Sequence, residues 1–182
     1  MSKVYVFMAD GTEEVEALTV IDLLRRAAIE VVTVSVMGRK KIISSHQIGI
    51  ETDEVYGESD YKDADMLVLP GGMPGTTYLK EHEGLREVLC AHHEAGKYLA
   101  AICAAPSVLG FNGCLQGKRA TCYPGFEEEL KGAVTCADGV VHDGNCITSK
   151  GLGTAIDFSL ELITALKDAG TAEIIAGAIQ YR

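Results

Sequence analysis

The chain has 182 residues, is 47% hydrophobic, and carries a net charge of −10 with a pI near 4.9. That length suits one domain over residues 1–182 with an ample core, and the hydrophobic fraction excludes a disordered chain. The densest basic cluster, Arg39–Lys41, falls in a turn, so no basic stripe offers a nucleic-acid surface. No apolar run approaches the roughly 18 residues of a membrane span.

"KVYVFM" (Lys3–Met8) opens the chain as a central strand, with no signal-peptide layout before it, so a cytoplasmic location is expected. After the "ADGT" turn, Glu13–Ile29 has a helix pattern, acidic at its positive end and closed by Arg25 and Arg26. Glu30–Val36 returns as a β-branched strand, and a strand–helix–strand unit favours a parallel sheet with a right-handed crossover. "KKIISSHQIGIETD" reads as two short strands around a Ser44–Gln47 turn.

Met66–Leu69 is a strand ending in Pro70-Gly71-Gly72, "GLREVLCAHHEAGK" a helix, and Tyr98–Ile102 a buried strand. Pro106 marks the first turn of the next helix. Short strands are expected at Arg119–Cys122, "GVVHDG" and Asn145–Ser149, then helices at Gly153–Asp168 and "TAEIIAGAIQ". The pattern predicts an open α/β sheet with helices on both faces. In such sheets ligands bind at the carboxyl ends of strands, where "ADGTEEVE", "LPGG" and "AICAAP" all fall.

Cys103 sits on the strand-to-helix turn of "YLAAICAAPSVLG", a place used by nucleophiles. A helix N-terminus lowers a thiol pKa, and N–H groups near Ala104 suit an oxyanion. A small buried thiol filling space is the competing reading. Glu16 shares a helix line with Val20, Leu23 and Ala27, which predicts either a partly buried carboxyl of raised pKa or a solvated helix edge. Gly71 and Gly72 offer backbone N–H donors. His92 and His93 are adjacent and cannot form an i, i+4 metal pair, so they, His82, His142 and the hairpin-tip His46 read as surface residues. None of the six cysteines forms a C-x-x-C pair, so free thiols and no metal are expected.

Together, "GTEEVEA", "DLLRRA", "LPGG", "AAICAAP" and "ITSKGLGTAIDF" resemble the ThiJ/PfpI superfamily, and within it the DJ-one branch, over nearly the whole chain. The resemblance implies a flavodoxin-like three-layer sandwich with a mostly parallel central sheet, a small hairpin, and a homodimer. It implies that Cys103 is the oxidation-sensitive nucleophile, Glu16 its carboxylic partner, and Gly72 and Ala104 the oxyanion donors. Arg26 and His46 fall where the family carries arginines near the dimer interface and active site. Two departures stand out. Tyr123 occupies a position where relatives often have histidine, which weakens a histidine relay. Ala104 replaces the histidine of the peptidase-like branch, which argues against a protease. The expected activity is cofactor-independent, cysteine-dependent conversion of small reactive carbonyls such as methylglyoxal. The alternative is a redox sensor or stress chaperone built on the same cysteine and meeting an oxidant instead of a substrate.

Overall fold

Residues 2–181 are described by the computed structural model. In chain order its elements are β1 (Lys3–Met8), α1 (Glu14–Arg26), β2 (Glu30–Ser35), β3 (Lys41–Ile43), β4 (Gly49–Glu51), β5 (Glu54–Val55), β6 (Met66–Leu69), α2 (Gly75–Glu81), α3 (Glu83–Glu94), β7 (Tyr98–Ile102), α4 (Pro106–Phe111), β8 (Arg119–Ala120), β9 (Val134–Thr135), β10 (Val140–Asp143), β11 (Cys146–Ser149), α5 (Ala155–Leu166) and α6 (Ala169–Ala178). Short 3-10 turns lie at Glu127–Glu129 and Leu152–Thr154.

Strand alternation makes the three layers. Val4, Val6 and Met8 of β1, with Met66, Val68, Ala100 and Ile102, face one side and pack on α1, α5 and α6. Tyr5, Phe7, Leu67, Leu69, Leu99 and Ala101 face the other side and pack on α2, α3 and α4. Burial on both faces explains why these strands read as continuous apolar runs. The seven-stranded sheet has the order β10-β11-β7-β6-β1-β2-β5. Its pairs are parallel except β10 with β11. β3 and β4 form the expected antiparallel hairpin, turned at Gln47, whose φ is +65°.

Several details differ from the sequence expectation. α1 stops at Arg26 rather than Ile29, because Ala28 takes φ +53° and the Ile29 N–H turns back to the Leu24 carbonyl. α2 had no sequence signal: it is about two turns behind a Pro-Gly-Gly segment. The Arg119–Cys122 strand shortens to two residues and pairs with β9, outside the main sheet.

Phe158 on α5 is fully buried in the first of these cores. Phe158→Ala is expected to lower stability by about 3–5 kcal/mol, read from urea unfolding; a loss below about 1 kcal/mol would show that α5 does not anchor this layer.

Candidate active site

The chain passes from β1 out to β2 and then crosses back to β6 on the other side of β1, which creates a switch point at the carboxyl ends of β1 and β6. The three sequence features meet there. The turn after β1 closes through Thr12, whose N–H reaches the Ala9 carbonyl at 3.1 Å and whose Oγ1 accepts from the Ala9 N–H at 3.0 Å. The Glu13 N–H donates to the Gly71 carbonyl at 2.9 Å, which ties this turn to the end of β6. The Glu13 carboxylate caps α1 by accepting from the Glu16 N–H at 2.7 Å.

Glu16 is 1% exposed, and Val20, Leu23 and Ala27 on its line are buried with it. The solvated-edge reading is therefore excluded. Its Oε2 accepts from the Gly71 N–H at 3.0 Å, and the Leu152 backbone N–H also bonds to it. Its side chain is hydrogen-bonded to Cys103. A Cβ at Gly71 would lie 2.5 Å from the Cys103 Cβ and 2.6 Å from Glu16 Oε2, so only glycine lets carboxyl, thiol and β6 meet. Gly72, at φ +93°, is as constrained: its Cβ would lie 2.3 Å from the Glu13 nitrogen.

Cys103 occupies the left-handed region at φ +66°. A non-glycine residue there is uncommon, and such strain clusters at functional turns. The turn is pinned on both sides: the Cys103 N–H donates to the Ser149 carbonyl at 2.9 Å, and its carbonyl accepts from the Tyr123 N–H at 2.8 Å. The Ala104 and Gly72 backbone N–H groups both point at the sulfur.

The electrostatics correct one expectation. Burial pushes the Glu16 carboxyl up to about 7, against the pull of Cys103, Gly71 and Leu152. Burial, and then the Glu16 charge, push the Cys103 thiol up to about 12; the Ala104 and Gly72 N–H groups pull it down without prevailing. α4 has only six residues, so its field is modest beside desolvation. The two groups are one acid pair. It gives up a first proton near neutrality, and the second is held because two adjacent anions repel in a dry site.

The remaining expected residues divide. Tyr123 is 51% exposed beside the site. Arg26 is ten residues beyond Glu16, about 15 Å along the helix; it pairs with Asp22 at 2.7 Å and does not reach this chain's Cys103 region. His46 is exposed as expected, but its Nδ1 lies 2.8 Å from Oε1 of the buried Glu14, which is thus more than a helix-end charge. Donor atoms of Glu13, Glu14 and His46 lie within 4.8 Å of one another, a grouping the cap and the ion pair already explain. His82 caps α3 through Nδ1, and His92 is buried, contrary to its surface reading. Gly151 was not singled out: a Cβ there would lie 3.9 Å from Cys103 Sγ, 3.7 Å from Glu16 Oε1 and 3.4 Å from the Tyr123 ring. Gly151 is buried against the pair, with a Cβ there coming into van der Waals contact with all three groups. The paired glycines just ahead of α5 were the available signal.

A buried carboxyl beside a cysteine on a strained strand-to-helix turn, at the switch point of a parallel sheet, defines a cysteine-elbow α/β protein. The sequence matches the DJ-1/PfpI family over residues 2–165, and the chain belongs to that family. It is 37% identical to protein dj-1beta of Drosophila melanogaster over 88% of this chain and 87% of that protein. It is 36% identical to protein DJ-1 homolog B of Arabidopsis thaliana over 99% of this chain, but it spans only 42% of that longer protein. The solved structure of oxidized DJ-1 from Toxoplasma gondii superposes with a TM-score of 0.95 at 35% identity, covering 99% of this chain and 98% of that one.

Folding raises the Glu16 pKa from 4.5 to about 7, so the protonated form is favoured in the native state. That contribution is complete below the unfolded value and is lost as pH rises through about 7. Between about pH 4 and pH 9 the wild type should lose about 3 kcal/mol of stability that Glu16→Gln keeps, measured by denaturant unfolding. Parallel pH profiles for the two proteins would show that Glu16 titrates normally.

Proposed function

We propose that the protein converts small 2-oxoaldehydes into 2-hydroxy acids without a cofactor, using Cys103 as nucleophile and Glu16 as proton carrier. The observation that carries this reading is the buried Glu16 carboxyl, poised near neutrality and hydrogen-bonded to the sulfur. The Cys103 thiolate attacks the aldehyde carbon, and the carbonyl electron pair moves to oxygen, which takes the Glu16 proton to give a hemithioacetal. The Gly72 and Ala104 N–H groups stabilise the oxygen as its charge develops. The Glu16 carboxylate then removes the hydrogen from the former aldehyde carbon to give an enediolate and returns it to the neighbouring carbon, while the hydroxyl proton passes from the first oxygen to the second, leaving a 2-hydroxyacyl thioester. Water hydrolyses the thioester and frees the thiol. Tyr123 and Leu152, both about half exposed, flank the opening.

A second reading draws on the same two N–H groups lying on the sulfur itself. A peroxide would oxidise Cys103 to sulfenic and then sulfinic acid, whose oxygens would accept from Glu16 and the backbone, making the protein a redox sensor or stress chaperone. Six free thiols suit either role in a reducing cytoplasm, and no described helix is long and apolar enough to cross a membrane.

Glu16→Gln is expected to leave Cys103 open to alkylation while lowering methylglyoxal turnover by about 10²–10⁴-fold; Cys103→Ser should lose both. Lactate formation by purified protein, measured beside iodoacetamide labelling, tests this. Near-wild-type turnover in Glu16→Gln would remove the proton-carrier role and leave the redox one.

We also infer that a second copy covers the outer face of α1. Val15 and Leu18 are 44% and 45% exposed one helical turn apart, and Ile48 on the hairpin is 49% exposed. The Ser45 N–H donates to the Thr12 carbonyl at 2.9 Å and so holds the hairpin against the start of this helix. Sedimentation should give twice the 19.4 kDa chain mass, and Leu18→Asp should give monomer. Wild-type monomer at micromolar concentration would overturn the inference.

A further inference from the structure

α3 carries Arg86 and Cys90 one turn apart, so both lie on one face of the helix. That face runs along the end of α4, where the Arg86 Nε donates to the Asn112 Oδ1 at 3.3 Å. α4 closes there through a glycine in the left-handed region, Gly113 at φ +75°. The Gly113 N–H turns back to the Gly110 carbonyl at 3.1 Å, and the Cys114 N–H to the Leu109 carbonyl at 3.0 Å. This closure leaves the Asn112 carbonyl outside the helical ladder and turns Cys114 into the core.

Two thiols converge on that carbonyl. Cys90 Sγ and Cys114 Sγ each donate to the Asn112 oxygen at 3.9 Å, one from α3 and one from the loop. Burial pushes the Cys114 thiol up to about 12, and the Cys90 charge is the next contributor, so the two sulfurs act on each other. The third thiol nearby is placed differently: Cys146 Sγ donates to the Cys114 main-chain carbonyl at 3.5 Å and is fixed in β11. Cys90 is partly exposed, whereas Cys114 and Cys146 are each 1% exposed. A Cβ at Gly113 would meet nothing within 4 Å, so the loop has open space beside it in which to shift.

We propose that Cys90 and Cys114 form a reversible disulfide, an oxidation site that does not involve Cys103. A peroxide is the oxidant. The Cys90 sulfur attacks one peroxide oxygen, the O–O bond breaks, and the departing oxygen takes the thiol proton, which leaves Cys90 as sulfenic acid. The Cys114 sulfur then attacks the Cys90 sulfur. The S–S bond forms, the S–O bond breaks, and hydroxide leaves with the Cys114 proton as water. The two thiols give up two electrons and the peroxide takes them. A bridge needs the two Cβ atoms within about 4.5 Å, and the adjustment falls on the loop at Gly113 rather than on the sheet. Once formed, it ties α3 to the end of the helix whose first turn follows Cys103. A small thiol reverses it by exchange.

The test uses the full chain carrying Cys103→Ser, which removes the elbow thiol and leaves Cys114 as the one cysteine of the tryptic peptide 98–118. The folded protein is treated with hydrogen peroxide, alkylated in denaturant and digested without reductant. Peptide 87–97 should appear joined to peptide 98–118 through Cys90 and Cys114. The intact chain should lose the mass of two hydrogens, and dithiothreitol should restore it. Cys90→Ser should abolish the bridge, and Cys146→Ala should leave it in place. Because Cys103 is absent throughout, the outcome is independent of the catalytic reading. Sulfinic acid at Cys90 with Cys114 still alkylated, a bridge between Cys114 and Cys146, or a Cys114 bridge that survives in Cys90→Ser would overturn the proposal.

Discussion

The proton shared by Glu16 and Cys103 sets the terms for the rest of the structure. Two acids within hydrogen-bond reach in a dry site cannot both ionise near neutrality, so one negative charge is distributed over carboxyl and sulfur. Keeping them adjacent needs three elements at fixed distances. α1 carries the carboxyl on an otherwise apolar line that the core holds down. The turn after β6 supplies Gly71, which no other residue can replace, since its missing Cβ is the space both groups use. β7 ends in the turn that presents the thiol. Burial is what raises the carboxyl, so the core that stabilises the fold also tunes the site.

That arrangement is strained, and its supports lie away from the chemistry. A cysteine held at φ +66° costs on the order of 1–3 kcal/mol. The Ser149 and Tyr123 backbone bonds on either side leave the turn no relaxed alternative without breaking sheet or loop contacts. β11 therefore does more than extend the sheet: its last residue fixes the backbone of Cys103. The loop after it brings the Leu152 N–H to Glu16 and the bare Gly151 to the sulfur. The acidic half of the site is built from the start of the chain and the thiol from its middle, with the opening formed near the end.

What was legible in the sequence follows from what periodicity and punctuation encode. The central strands are buried on both faces, so "VYVFM", "MLVL" and "YLAAI" stood out as apolar runs, and Pro106 fixed the elbow after Cys103. Glu16 was visible as an anomaly on an apolar line, but periodicity alone left its burial open, because a helix edge and a helix face look alike until the partner layer is known. The raised thiol pKa was not legible. A helix N-terminus is written in the sequence, whereas the desolvation that outweighs it belongs to the assembled pocket. His92 was misread for the same reason: adjacent histidines excluded a metal pair and said nothing of which one faces the sheet.

The absence of histidine at the elbow has a consequence for the chemistry. The groups acting on the Cys103 sulfur are Glu16 and the backbone N–H groups of Ala104 and Gly72. The N–H groups stabilise charge but carry no titrating proton. Tyr123 adds a ring and a hydroxyl at a half-exposed position. Among the groups on the sulfur, only the carboxyl carries a titrating proton, so it must both protonate an oxyanion and accept a proton from carbon if the protein turns over carbonyls. A single group can do both only if the steps are sequential and its pKa lies between the demands of acid and base. A carboxyl in its ordinary range, near 4.5, would be a poor acid at neutral pH; desolvation to about 7 lets one residue serve in both directions.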